Sequence, residues 1–329
     1  MKIKLIAGFL VSALLVYLSL RGIDFHGVAR GMTTLRYGYA LIFLAIIFLM
    51  QVLRSIRWGL ILQPLATIDQ LTLFSVSNVG FLAIAAIPAR LGELARPYLI
   101  TRRSPITMTS AVGTIFVERI CDSLAVLIIA LVTPLFTALP PWLTKASLVF
   151  FWITVAVAAV ILFLVMRRDL ALKGLRLLLC RLPGGRGLLP ERILHQFSEG
   201  FNVFRNLRLL VQTILLTVII WLIDVLAIYV MFLAFGLDLP ASAAVVVMIV
   251  LIIGIAIPAA PGFVGNWHFF CILALGIFGI PKTEALSFAI IYHFLSIGML
   301  VVLGLAFLPF NRFSLSSLRT QLDATCSSS

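Results

Sequence analysis

The stretch IPARLGELARP, residues 87–97, decides how this chain folds, because it places two prolines, a glycine and three charged residues inside a long apolar region. The whole region, residues 71–98, is otherwise apolar enough to enter a membrane. Helix breakers are tolerated at membrane depth only where neighbouring protein or a wet cavity satisfies the backbone groups that they free. The stretch therefore predicts a re-entrant or broken helical hairpin rather than a plain span.

A second apolar region, residues 243–279, is interrupted in its middle by the stretch IPAAPGFVGN, residues 257–266. By the same physical reason it predicts a second hairpin. Backbone amides left free at the start of a half-helix would favour an anion there. The residues expected to form the breaks are Pro88 and Gly92 in the first region and Pro258, Pro261, Gly262, Gly265 and Asn266 in the second.

The composition indicates that lipid is the main solvent of the chain. Of its 329 residues, 62% are hydrophobic and 11% are charged, whereas a soluble protein has roughly 45–50% and about 25%. Such a surplus of apolar side chains excludes a water-soluble domain. We predict a single all-α polytopic membrane domain, 1–329. Besides the two hairpins, six stretches have the roughly 20 apolar residues of a transmembrane helix: 4–20, 40–62, 108–135, 147–166, 209–235 and 285–309.

The uneven distribution of charge predicts the orientation. Lys and Arg number 25 against 12 Asp and Glu, an excess that on a membrane protein reports topology before any binding of nucleic acid, which we do not expect. The loop 167–208 holds nine Lys or Arg against three acids and should be cytoplasmic. If both hairpins enter and leave on one face, six crossings place both termini in the cytoplasm, with only the loop 21–39 placing arginines outside. We predict a multi-pass protein of a bacterial cytoplasmic (inner) membrane, with its first helix retained as a signal-anchor.

The two halves of the chain resemble each other. PxxxGE at 88–93 matches PxxxGN at 261–266 with an offset of 173 residues, and residues 111–119 align with 285–293 with an offset of 174. Each half then consists of two spans, a hairpin and a span, and three crossings invert the second half relative to the first. We predict an inverted repeat, with halves at 1–140 and 141–310 and a tail at 311–329, an organisation typical of transporters whose site lies between the repeats.

Arginines cluster near the first hairpin. Arg54 and Arg57 share one face of their helix, and Arg90, Glu93 and Arg96 step by three residues through the hairpin. A guanidinium is planar, permanently charged and offers forked donors, so it suits a phosphate. These five residues are our candidate site for a lipid headgroup. The alternatives are that Arg90 or Arg96 neutralises Glu93, and that Arg54 and Arg57 extend to the membrane surface.

Other ionisable residues at membrane depth are candidates for gating or coupling, because a charge there is costly. Glu118, Arg119 and Asp122 lie within one helical turn, where they form either a buried ion-pair clamp or a gating group. Asp224 lies alone in a later span. His268 and His293 would either relay protons or form a hydrogen-bonded core pair.

Several kinds of chemistry have no motif in the sequence. A phosphate-binding glycine loop, an HExxH motif and a nucleophile elbow are missing, and the four cysteines have no metal-ligand spacing. We therefore expect no enzyme activity, no cofactor and no metal.

The patterns PxRxGExxRP at 88–97, ERxxD at 118–122 and PxxPGxxG at 258–265 resemble the lysylphosphatidylglycerol synthase transmembrane-region family, also called the flippase-like domain. The resemblance covers roughly residues 5–310 and implies the stand-alone form without the soluble synthase domain. In bifunctional members of the family this region moves an aminoacylated lipid across the bilayer, and related archaeal members act in lipid-linked glycan pathways. Many members have Glu and Arg where this chain has His268 and His293.

The sequence is compatible with three functional hypotheses. The first is a lipid flippase that binds an anionic headgroup, whether of a phospholipid, an aminoacylated phosphatidylglycerol or a polyprenyl phosphate, with Glu93 as internal counter-ion and with protonation of a histidine or Asp122 tuning access. The second is a membrane enzyme, or a subunit of one such as a glycosyltransferase partner, that acts on a lipid-linked substrate. The third is a transporter of small solutes or ions. Expected partners are anionic membrane lipids and a separate lipid-modifying enzyme or glycosyltransferase.

Overall fold

A computed structural model of the chain describes residues 2–33, 35–86, 92–133, 141, 145, 148–149, 151–156, 159, 191–257 and 260–311. Several sequence predictions fall outside these residues. They concern Pro88, Arg90 and Pro258, most of the predicted span 147–166, most of the basic loop 167–208, and the tail from residue 312 onward.

Every regular element in the described ranges is a helix. In chain order these are α1 (Lys2–Leu20), α2 (Phe25–Thr33), α3 (Tyr37–Leu62), α4 (Gln70–Ala86), α5 (Ala95–Thr101), α6 (Met108–Val132), α7 (Glu191–Glu199), α8 (Leu207–Phe235), α9 (Ala241–Ala256), α10 (Asn266–Gly276) and α11 (Lys282–Asn311), with short 3₁₀ turns at Asn202–Arg205 and Pro261–Phe263.

Helices occupy five of the six predicted spans. Within the described residues, α3, α8 and α11 are long and apolar enough to cross a membrane, and α1 with α2, bent by 86° between them, would make a fourth. The helix α6 has 25 residues but carries Glu118, Arg119 and Asp122 in its middle. The all-helical membrane architecture is therefore present, while six full crossings remain a prediction.

Both interrupted regions form helical hairpins, as their breakers predict. The first hairpin consists of α4, a turn at residues 92–94 and α5, and the second of α9, the segment 260–265 and α10. The second turns sharply because Gly262 and Gly265 adopt positive φ angles of 68° and 91°, which side chains disfavour. Asn266 then ties the turn to α9 by donating from Nδ2 to the carbonyls of Gly254 and Ile257, at 2.9 and 3.2 Å.

The same steric arrangement holds the two arms together in each hairpin. In the first, Gly80 on α4 leaves space for the side chain of Arg96 on α5, and in the second, Gly254 on α9 leaves space for Phe270 on α10. A Cβ atom at either glycine would overlap the opposite side chain. Both members of the first pair lie 174 residues before their counterparts in the second, the offset already found downstream.

The two hairpins open toward opposite ends of the helix bundle. The open end of the first lies beside the end of α11, where Asn311 Nδ2 donates to Ser75 Oγ at 2.5 Å. The second begins next to the end of α8, where the carbonyl of Ala234 accepts from the amide of Arg36 at 2.9 Å. At that same end, Lys282 donates to the carbonyls of Leu18 and Arg21.

Helix contacts also come in corresponding pairs. The helix α3 packs against α8, and each hairpin packs its first arm on the long helix that follows the other hairpin, α4 on α11 and α9 on α6. The largest apolar core joins α8, α9, α10 and α11 to α3. This arrangement leaves a space in the middle of the bundle, between the hairpins.

The helix α7, in the basic loop, packs on the bundle. The helix α7 meets α6, where Ser110 Oγ donates to Glu199 Oε2 at 3.0 Å and Phe197 contacts Phe116 edge to face. Gly113 and Gly200 allow the two backbones to approach closely.

Candidate functional site

A cavity of about 270 Å³ lies between the two hairpins, and we take it as the candidate site. Four charged residues line it, namely Arg54 from α3, Glu93 from the first hairpin turn, Arg119 from α6 and Asp224 from α8. Its other walls are mainly apolar and aromatic, with Phe81, Trp221, Trp267 and Tyr292 among them. An apolar cavity with a few convergent polar groups is the usual form of a ligand site.

Arg54 is held in the cavity by a short chain of amides. Its Nη1 donates to Gln51 Oε1 at 3.1 Å, one helical turn earlier on α3, and Gln51 Nε2 reaches Asn78 Oδ1 on α4 at 3.4 Å. The guanidinium also lies over the ring of Phe81, 5.6 Å from its centroid. Arg54 is half-buried, so its remaining donors are available to a ligand.

Asp224 is the acid that α8 contributes to the cavity wall, and it shares this cavity with Arg54. It lies in the middle of α8, one of the three long apolar helices, and accepts no hydrogen bond from any residue that the structure describes. A charged side chain at the centre of a membrane helix costs about 2.5–3.5 kcal/mol on insertion scales. Asp224 thus depends on its position opposite Arg54.

Four further charges form a buried cluster next to the cavity. Arg96 donates from both Nη atoms to the two oxygens of Glu118, each at 3.0 Å. Arg57 binds Asp122 at 2.5 and 3.2 Å and also lies 3.3 Å from Glu118. Thr217 on α8 accepts from Arg57 at 3.2 Å. The cluster therefore joins α3, α5, α6 and α8.

Two residues extend from this cluster into the cavity. Arg119 Nη2 donates to Glu118 at 2.8 Å, and Trp221 Nε1 donates to Asp122 at 3.1 Å. The side chain of Arg119 is 47% exposed while that of Glu118 is only 2% exposed, so the acid is the fixed partner. The buried cluster accordingly positions part of the cavity wall.

The aromatic ring of Phe81 contacts arginines of both the cluster and the cavity. The guanidinium of Arg96 lies over Trp58 at 4.3 Å and over Phe81 at 5.3 Å. Phe81 therefore contacts two arginines, Arg96 of the cluster and Arg54 of the cavity. Cation–π contacts of this kind stabilise a charge that has left water.

The structure divides the five predicted headgroup residues. Arg54 and Glu93 line the cavity, whereas Arg57 and Arg96 are buried in the cluster and do not line it. Arg90 lies outside the described residues. The predicted gating trio is likewise divided, because Glu118 and Asp122 are buried acceptors of the ion-pair clamp and Arg119 reaches the cavity.

The two histidines are in contact with each other beside the cavity. Their ring centroids are 4.9 Å apart, and His293 Nε2 lies 2.7 Å from the carbonyl of Gly262 in the second hairpin turn. Neither lines the cavity, although the adjacent residues Trp267 and Tyr292 do. His293 is thus hydrogen-bonded to the hairpin turn, and both interpretations of the histidine pair stay predictions.

Sequence reasoning overlooked the neutral residues that organise the site. Gln51, Phe81, Trp58 and Trp221 carry no charge and belong to no motif, yet each contacts one of the arginines or acids. The spacing of three residues between Gln51 and Arg54 was the one available signal. Within the described part of the chain, no three His, Cys, Asp or Glu residues are grouped as metal ligands would be.

Comparisons with known proteins show similarity to membrane proteins. Residues 5–304 match the profile of the family described as the lysylphosphatidylglycerol synthase TM region. Over 293 residues the chain is 22% identical to a UPF0104 membrane protein of Methanothermobacter thermautotrophicus, which covers 84% of this chain and 87% of that protein. It is 24% identical over 222 residues to a UPF0104 membrane protein of Methanocaldococcus jannaschii, with coverages of 66% and 89%.

Proposed function

We propose that this chain, which belongs to the lysylphosphatidylglycerol synthase TM-region family, moves a phosphate-bearing lipid headgroup between the leaflets of the cytoplasmic membrane. The observation that supports this most is the cavity between the hairpins, where Arg54 and Arg119 face a largely apolar chamber that Glu93 and Asp224 also line. Guanidinium groups match phosphate oxygens in geometry and keep their charge in a poorly solvated site. The apolar walls suit the glycerol and the start of the acyl chains.

The proposed headgroup site differs in its members from the sequence-based candidate. Arg54 and Arg119 would contact the phosphate, and Glu93 would act as the competing internal counter-ion. Arg57 and Arg96 would act indirectly, because their ion pairs with Asp122 and Glu118 fix the positions of Trp221 and Arg119.

Transport would proceed by alternating access in a six-crossing inverted repeat. The opposite directions of the two hairpins, the paired helix contacts and the glycine pairs at an offset of 174 residues support this part of the proposal. In inverted-repeat transporters one repeat rocks against the other around a site near the midplane. We propose cytoplasmic termini in accordance with the positive-inside rule.

The test is movement of a labelled lipid in reconstituted vesicles. Phosphatidylglycerol with a fluorophore on one acyl chain keeps its headgroup intact, and an impermeant reductant quenches only the outer leaflet. We expect wild-type protein to make the inner-leaflet pool accessible, and Arg54→Gln to slow this at least about tenfold, the effect of losing about 1.4 kcal/mol of phosphate binding.

The matched control is Arg30→Gln, because Arg30 lies on α2 with a side chain that is 78% exposed. It should leave the rate unchanged. If Arg54→Gln moved lipid at the wild-type rate while unfolding at the wild-type temperature, the headgroup assignment would be wrong. If wild-type protein moved no lipid but accumulated a small anion inside the vesicles, transport of small solutes would replace lipid transport as the function.

A further inference from the structure

Arg54 on α3 and Asp224 on α8 are a base and an acid that line the same cavity. The helices α3 and α8 pack against each other, which places the two side chains around one space, and Arg54 is the charged group that acts on Asp224. A phosphate bound to Arg54 would compete with Asp224 for the same guanidinium. The carboxylate would then be left in an apolar wall without the opposite charge that offsets its burial.

The other groups around Asp224 offer no substitute. The helix α8 packs against α3, α6, α9 and α11. From α6, Asp122 is engaged by Arg57 and Trp221, and Arg119, although it reaches the cavity, has its ion pairs with Glu118 and Asp122. From α11 the titratable neighbour is Tyr292, and α9 has no ionisable residue in its sequence.

The 3₁₀ turn that also packs on α8 precedes the first turn of that helix, and its basic residue, Arg205, lies far along the chain from the middle of α8. Within the described residues, Arg54 is thus the charge on which Asp224 depends.

We infer that Asp224 is a proton-binding carboxylate. When the headgroup binds, Asp224 loses the opposite charge of Arg54 and takes up a proton instead, so that one proton accompanies each phosphate through the transport cycle. The inference rests on the proposed function. In the ligand-free state the carboxylate of Asp224 neutralises Arg54. When the phosphate takes Arg54, Asp224 accepts a proton from a hydronium ion of the adjoining solution, forming a neutral carboxylic acid and water. When the phosphate leaves, the acid returns its proton to water and again faces Arg54 as a carboxylate.

This exchange keeps the cavity electrically balanced at every step. An anionic headgroup adds one negative charge, and the proton on Asp224 removes one. The step therefore needs no co-reactant besides the proton, and a proton gradient across the membrane could drive lipid movement. His268 and His293 are not assigned this role because neither lines the cavity.

The experiment measures how the rate of phosphatidylglycerol movement depends on pH in reconstituted vesicles. For wild-type protein we expect the rate to change between pH 5 and pH 8 by no more than about tenfold per pH unit, the limit for one proton. Asp224→Asn, which mimics the protonated acid, should bind short-chain phosphatidylglycerol at least as tightly and show a flat pH profile.

The matched control is Asp238→Asn, because Asp238 is an exposed acid just beyond the end of the same helix. It should keep the wild-type profile. The double variant His268→Gln/His293→Gln should keep it too.

A second measurement covers the case in which Asp224→Asn fails to fold. Calorimetric titration of wild-type protein with dihexanoyl phosphatidylglycerol, in two buffers of different ionisation enthalpy, reports the protons taken up on binding. About one proton per lipid is expected.

Three outcomes would overturn the inference while leaving lipid movement intact. These are a pH-independent wild-type rate, a wild-type pH profile retained in a folded Asp224→Asn variant, and no proton uptake on binding. A profile lost only in the histidine double variant would assign the proton to that pair instead. Absence of lipid movement at every pH would instead contradict the proposed function itself.

Discussion

The two hairpins have the same steric arrangement and opposite chemistry. In each, a glycine on the first arm receives a large side chain from the second arm, but that side chain is Arg96 in one hairpin and Phe270 in the other. The contrast continues in the helices that follow, where Glu118 aligns with Tyr292. The packing of the two arms therefore does not depend on charge, because the space beside the glycine holds either an arginine or an aromatic side chain.

The hairpins are also anchored by different interactions. The first is attached to α6 by the bidentate pair of Arg96 with Glu118. The second is attached through backbone groups, since Ser12 on α1 accepts from the amide of Ala260 at 2.7 Å and His293 contacts the carbonyl of Gly262. Removing a charge at the first hairpin should therefore lower the free energy of unfolding far more than removing a polar atom at the second hairpin.

The largest expected effect comes from removing the acid of the first hairpin's anchor. Glu118→Ala leaves Arg57 and Arg96 buried without one of their partners, and breaking a buried pair in this way costs about 3–5 kcal/mol. The aligned change Tyr292→Phe removes only a hydroxyl, and we expect it to cost less than about 1 kcal/mol. Unfolding by SDS in mixed micelles measures both. If both variants lost the same free energy of unfolding, the ion pair of the first hairpin would contribute no more to stability than the hydroxyl at the aligned position.

The next effect tests what the hairpins share. Gly80→Ala and Gly254→Ala should each cost about 1–3 kcal/mol, because the added methyl group overlaps Arg96 or Phe270. The control is Gly298→Ala on α11, where a Cβ meets no atom within 4 Å. It should be neutral or stabilising, since alanine is the better helix former. Tolerance at Gly80 together with a loss at Gly254 would show that the flexible arginine can move aside.

A smaller effect concerns the anchor inside the second hairpin. Asn266→Ala removes two donated hydrogen bonds, to the carbonyls of Gly254 and Ile257, which are together worth about 1–2 kcal/mol. Hydrogen exchange of the α9 and α10 amides should rise more than that of α4 and α5. The matched substitution Asn206→Ala, at the start of α8, should leave exchange in the second hairpin unchanged. Equal acceleration in both hairpins would contradict separate anchoring.

The smallest effect distinguishes how the hairpins begin. Asp69 caps α4 by accepting from the amide of Thr72 at 2.8 Å, whereas α9 begins after Pro240 without a side-chain cap. The hydrogen bonds from the amide and hydroxyl of Thr72 lower the pKa of Asp69. Its contribution is therefore complete above the unfolded pKa of about 4 and is lost as the pH falls through the lower folded value.

Replacing this cap should cost little, because Asp69 is exposed. Asp69→Ala should lower stability at neutral pH by about 0.5 kcal/mol. Asp69→Asn should retain most of that contribution and remove its dependence on acid pH, since asparagine caps without titrating. Acid unfolding curves of the three proteins provide the measurement. An unchanged acid dependence in Asp69→Asn would show that another group titrates at this end of the hairpin.

Much of the fold could be predicted from local sequence features. Prolines and glycines inside an apolar run permit few structures at membrane depth, so residues 87–97 and 257–266 were identified as turns of hairpins. The candidate site could be predicted only in part. A spacing of three residues indicated that Arg54 and Arg57 share a helix face, but the helix contacts place Arg54 in the cavity and Arg57 in the cluster with Asp122.

The sequence by itself determined that the chain lies in lipid, that it is helical and that it has two hairpins. It also identified the charged residues whose burial costs the most free energy. These follow from composition and from backbone constraints that act over a few residues. Only the tertiary structure decided which charges come together, pairing Arg96 with Glu118 and bringing Asp224 and Arg54 to the same cavity. Electrostatic partners far apart in the chain depend on how helices pack, because a charge at membrane depth is stabilised by whichever opposite charge the packing brings within a few ångströms.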